Sequence, residues 1–173
     1  MAWAHHVTVV VGFGFNPGSA LGLSVPEYGE ASANAAVSTA LAGAAGGISA
    51  LFTNLYLEER RTGEPHFSLL MAMNGTLGGL VAITSGCALV EPWAAIVIGI
   101  VAGWIYIYGS ALLIRLRIDD AVDAIPVHMF NGTFSMDAIV AILEGMFRAT
   151  HQQNERDVNR CLGSFCHWFT RLA

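Results

Sequence analysis

The chain has 173 residues, of which 54% are hydrophobic and 12% charged, and its mean hydropathy is +0.55. Soluble domains carry about 25% charged residues, so this composition provides too little polar surface for a water-soluble enzyme or a disordered tail. The net charge of -5 and the absence of lysine leave no basic stripe for a nucleic-acid partner, and three cysteines do not build a disulfide framework. The composition predicts an all-α fold, a polytopic transmembrane helix bundle without enzyme chemistry.

Along the chain, residues 8–25 are apolar but hold Gly12, Gly14, Pro17 and Gly18, which predicts a broken or kinked helix. Three long uncharged runs follow, separated by charge clusters around Glu58–Glu64, at Glu91 and at Arg115–Asp123. A bilayer core of about 30 Å takes about 20 helical residues, and a charge at mid-span costs about 2.5–3.5 kcal/mol. The runs therefore predict spans at 32–56, 67–90 and 92–114. A further segment, 125–143, begins as a span and meets Asp137 and then, past its end, Glu144, so its far end is expected to be irregular. The domain reading is a membrane domain over 8–143 and a divergent polar tail over 144–173.

Arg60 and Arg61 lie in one loop and Arg115 and Arg117 in another, which predicts that both are cytoplasmic and that the Glu91 turn faces outward. The tail arginines, Arg148, Arg156, Arg160 and Arg171, do not fit that alternation if 125–143 crosses fully. No basic n-region of a signal peptide precedes the first apolar segment. Because the chain starts almost inside that segment, a truncated chain is expected.

Small residues recur four apart at Gly14/Gly18, Gly43/Gly47, Gly75/Gly79 and Gly99/Gly103. Helix association in lipid depends on close backbone contact, so the pattern predicts a tight bundle, with or without a pore. His128, Asn131, Gly132 and Ser135 are spaced three, four and seven apart and are expected on one helical stripe, with Phe130 and Phe134 pointing elsewhere. An ionisable side chain within a membrane segment is a functional candidate; the alternative is that His128 bonds a backbone carbonyl or a neighbouring helix. Asp119 reads as a solvated rim residue, whereas Asp120 and Asp123 read as capping and orienting the helix that carries His128.

The run Phe13-Gly14-Phe15-Asn16-Pro17-Gly18-Ser19 is not a dinucleotide fingerprint, because Pro17 stands where the third glycine would be. It reads either as an aromatic constriction with a hydroxyl acceptor or as a helix kink capped by Asn16. Asn74-Gly75-Thr76 and Asn131-Gly132-Thr133 fit the glycosylation pattern but fall inside predicted spans. Cys161, Cys166, His167 and His151 depart from the usual zinc spacing, so no metal and no other cofactor is predicted.

Taken together, Gly14 to Leu21, Met73-Asn74-Gly75 with Gly79 to Cys87, Arg117-Ile118-Asp119-Asp120 and Ile125-Pro126-Val127-His128 resemble the ammonium transporter family, over about residues 12–136. The resemblance implies a multi-pass protein, most naturally of the plasma membrane, with eleven helices in two inverted repeats and three subunits, each with its own pore. This chain corresponds to the second repeat, about spans six to ten.

By the family pattern Phe15 matches a gate phenylalanine, Ser19 the serine that accepts a hydrogen bond from ammonium, and His128 the second pore histidine. Asp120 matches an aspartate beside that helix and Asp123 the acidic residue near the inner mouth. Gly12 stands where the family has tryptophan, the first repeat is missing, and the similarity stops after Met136. The implied function is ammonium or ammonia transport, with ammonium and the lipid bilayer as partners and a homotrimer, or association with full-length homologues, as the assembly. A non-transporting partner of such homologues is the alternative.

Overall fold

The computed structural model of the chain describes residues 10, 12, 14–19 and 26–137, and the regular elements among them are helical. Three α-helices follow one another: α1 (Pro26–Thr62), α2 (Leu69–Ala82) and α3 (Pro92–Leu116). A fourth, α4, covers 124–137 and opens with a π-helical stretch, Ile125–Phe130. The residues 14–18 are helical as well. The polar tail over 144–173, its arginines and the Cys161/Cys166/His167/His151 set lie outside the described residues.

Local chemistry sets the helix ends. Past the end of α1, Gly63 takes φ +81, a left-handed conformation that glycine adopts without penalty, and its N–H returns to Glu59 O at 2.9 Å. Ser68 caps α2 by accepting the Met71 N–H. Pro92 opens α3, where a missing N–H is harmless. Arg117, at φ 56, closes that helix with N–H contacts to Ile114 O and Leu113 O.

Among the described residues two helices, Gly29–Thr62 and Pro92–Leu116, are long and apolar enough to cross a membrane, in agreement with two of the predicted spans. The span predicted at 67–90 is corrected: its helix is 14 residues long and ends at Ala82, which at 1.5 Å per residue gives about 21 Å. Beyond Ile83 the chain runs through consecutive turns, with Thr84 N–H to Val81 O, Gly86 N–H to Ile83 O and Leu89 N–H to Gly86 O. Hydroxyl side chains compete with the helical ladder at this point: Thr84 donates to Val81 O and Ser85 to Ser135 O. Irregular backbone at membrane depth needs partners from the protein. Ser38 supplies one to Cys87 O at 2.5 Å and Asn34 another to Ala88 O at 3.4 Å.

The bundle is built on one strip of α1. A Cβ on Gly79 of α2 or on Gly99 of α3 would run into the same carbonyl, that of Ala42. One turn later, Cβ atoms on Gly75 and Gly103 would lie 2.9 and 2.7 Å from Gly46 O. Two of the predicted glycine pairs thus let α2 and α3 press their backbones against α1. The Gly14/Gly18 pair does not take part, since a Cβ at either meets nothing within 4 Å among the described residues. Buried polar groups reinforce these contacts, with Ser38, Thr39, Asn74 and Asn131 at 2% exposure or less. Trp93, Trp104, Phe52 and Ile48 are exposed on the outside. This is a partial membrane helix bundle with an apolar exterior.

Candidate functional site

The entry to α4 is organised by two aspartates with different tasks. Asp120 is the cap, accepting the N–H groups of Ala124 at 3.0 Å and Ile125 at 2.7 Å. The Ile125 amide above all, with help from Ala124, holds the Asp120 carboxyl below its ordinary range. Asp123 does not cap the helix with its side chain. It reaches across to α3, where Tyr106 Oη–H donates to it at 2.9 Å and Ser110 Oγ–H at 3.0 Å, while its own backbone carbonyl accepts the Val127 N–H. Asp119 is exposed.

His128 lies within the π-helical stretch and is exposed. The predicted common stripe is corrected: Asn131 and Ser135 are buried, Gly132 is half-buried and His128 faces out. A π-turn bonds i to i+5 and holds more residues than an α-turn, so three residues from 128 to 131 sweep too little angle to return to the same face. Asn131 instead packs into the space left by Gly78, where a Cβ would lie 2.8 Å from its Nδ2, and donates to Pro126 O at 3.1 Å. Ser135 pairs with Ser85, whose N–H it accepts at 3.2 Å. Phe130 turns to α3, where its ring occupies the place of a Cβ on Gly109.

In the helical stretch 14–18, Phe15 is exposed (63%) and Asn16 is buried (4%). The reading of Asn16 as a kink cap is corrected, because its amide reaches α1 instead and donates to Thr39 Oγ1 at 3.1 Å. Ser19 is exposed; its hydroxyl donates to Phe15 O at 2.7 Å, which leaves the oxygen lone pairs as acceptors. Asn74, the first predicted glycosylation position, is buried between helices and donates to the Tyr106 hydroxyl at 3.2 Å. Among the described residues no group of three or more His, Cys, Asp or Glu is placed to share a metal ion.

Residues 9–164 match the sequence pattern of the Ammonium Transporter Family, which corrects the expectation that the similarity stops after Met136. The chain belongs to that family. It is 39% identical over 151 residues to ammonium transporter 1 member 2 of Arabidopsis thaliana, covering 83% of this chain and 27% of that protein. To ammonium transporter Amt2 of Archaeoglobus fulgidus it is 40% identical over 135 residues, 78% of this chain and 27% of the relative. The crystal structure of Saccharomyces cerevisiae Mep2 is similar with a TM-score of 0.59 and 28% identity, over 72% of this chain and 26% of that one. This family member therefore spans little more than a quarter of the length of these relatives.

Sequence reasoning missed the α3 side of the site. Tyr106 and Ser110 carry the polar contacts to Asp123, and their signal was present: a tyrosine and a serine four apart in an uncharged run, hence on one helix face. Ser85, which fastens Ser135, was visible only as part of a motif.

Proposed function

We propose that this chain is the C-terminal repeat of an ammonium pathway in the plasma membrane, working as part of a trimeric pore or together with full-length homologues. The observation that carries the reading is His128, exposed in a turn whose neighbours Val127 and Asn131 are buried. An imidazole can accept and relay a proton, so the pathway need not carry a fully stripped ion. Phe15 and Ser19 fit the step before it. A desolvated cation gains up to about 2 kcal/mol from an aromatic face, and the free lone pairs of Ser19 offer an acceptor to an N–H donor. Stripping water from an unpartnered charge is costly, which favours a cation that can give up a proton over one that cannot.

The test is growth on ammonium of an uptake-deficient cell that expresses this chain together with the N-terminal repeat of a relative. Rescue that requires both pieces, and is lost on His128→Ala, is the expected result. Rescue that survives His128→Ala overturns the role of the imidazole. The alternative partner role is read in the same cells, as reduced uptake when the chain is added to a full-length homologue.

A further inference from the structure

The contacts of Asp123 reach further than its own turn. Its backbone is left-handed, at φ 54, a conformation that non-glycine residues hold only where surrounding contacts fix it. Those contacts come from α3. The Tyr106 oxygen accepts from Asn74 Nδ2 at 3.2 Å, so its own proton is free to turn to Asp123 Oδ2 at 2.9 Å. The competing acceptor, Met71 Sδ at 3.3 Å, is a weak one, and a carboxylate makes the stronger bond. Ser110 Oγ–H engages the other oxygen, Oδ1.

The same face of α3 fixes the next residues of α4. Val127 is buried in one cluster with Tyr106 and Ile107, and Phe130 packs at Gly109. Positions 106, 107, 109 and 110 thus hold residue 123, just before α4, and residues 127 and 130 within it, on both sides of His128. We propose that Tyr106 and Ser110 are positioning residues which, through Asp123, set the rotation of the π-helical turn and with it the direction in which His128 presents its imidazole. The consequence for transport rests on the reading of His128 given above; the geometric claim does not.

The test uses the full chain with ¹⁵N-labelled histidine in lipid nanodiscs, with the His128 signals assigned by loss in His128→Gln. Tyr106→Phe keeps the ring and removes the donor; Ser110→Ala removes the second donor with little change of volume. Each is expected to shift the His128 imidazole signals and to change their broadening by a spin label carried in the lipid. Leu80→Ala, whose side chain lies against Gly43 of α1, lowers stability at the α1–α2 contact and is expected to leave those signals in place.

Imidazole signals that move no further in Tyr106→Phe and Ser110→Ala than in Leu80→Ala overturn the positioning role. Uptake measured on the chain paired with an N-terminal repeat separates the two readings. Shifted signals without uptake in the wild type sink the transport reading alone, and uptake with unmoved signals sinks the positioning alone.

Discussion

Gly79 of α2 faces Ala42 of α1 so closely that its Cα lies where no side chain could be added. A Cβ there would collide with the Ala42 carbonyl oxygen and lie 3.0 Å from the carbonyl carbon. Both obstacles are backbone, which cannot rotate away. Gly79→Ala is expected to push α1 and α2 apart and destabilise the bundle by about 1–3 kcal/mol, read as a lower unfolding temperature in detergent. Gly14→Ala, where a Cβ meets nothing within 4 Å among the described residues, is the matched control and is expected to leave it unchanged.

A second expectation concerns acid. Because its N–H partners hold the Asp120 carboxyl below its ordinary 3.8, the folded state favours the ionised form. Its stabilisation of the α4 entry is therefore complete above the ordinary value and is lost as pH falls through the lowered one. Asp120→Asn removes the charge and hence this dependence. Amide exchange at Ala124 and Ile125, followed from neutral to acid pH in both forms, reads the difference; equal pH dependence in the two would count against the cap.

The join between the turns after α2 and the end of α4 gives a third. Ser135 accepts the Ser85 N–H at 3.2 Å, and Ser85 Oγ–H donates to Ser135 O at 2.7 Å. Ser135→Ala leaves a partly buried N–H without its acceptor, a loss of about 1–3 kcal/mol. Ser85→Ala leaves that N–H satisfied and removes only the hydroxyl donor, with a smaller loss. Thermal unfolding of the two variants is expected to rank them in that order.

For the proposed pathway, Ser19→Ala removes one acceptor for the entering cation. Hydrogen bonds to charged groups are worth about 1.5–3 kcal/mol, so apparent ammonium affinity in the paired-repeat assay is expected to fall about tenfold or more. Ser19→Thr keeps the oxygen and is expected to retain most of it. Equal affinity in wild type and alanine variant would remove Ser19 from the site.

Much of the architecture was legible because it depends on charge and on residue size. Arg60, Arg61, Arg115 and Arg117 mark where helices end, and Gly75, Gly79, Gly99 and Gly103 mark where backbones touch. The helix stop at Ala82 was harder to read. Residues 83–90 are as apolar as a span, and the bonds that accompany the stop are a local one, Thr84 to Val81 O, and a distant one, Ser85 to Ser135 O, 50 residues away. The stripe through His128 failed for a related reason: spacing arguments assume α-geometry, and a single wider turn rotates everything beyond it. Asn16 was read locally, as a cap, whereas its partner Thr39 lies 23 residues away and carries no local signature.

The 37 residues of α1 amount to a rod of about 55 Å, nearly twice the roughly 30 Å of hydrocarbon it has to pass. Such a rod must lean, or project its ends into water, and α2 and α3 are bolted to it through the Ala42 and Gly46 carbonyls. Any change in bilayer thickness that alters the lean of α1 would then carry both neighbours along as one body.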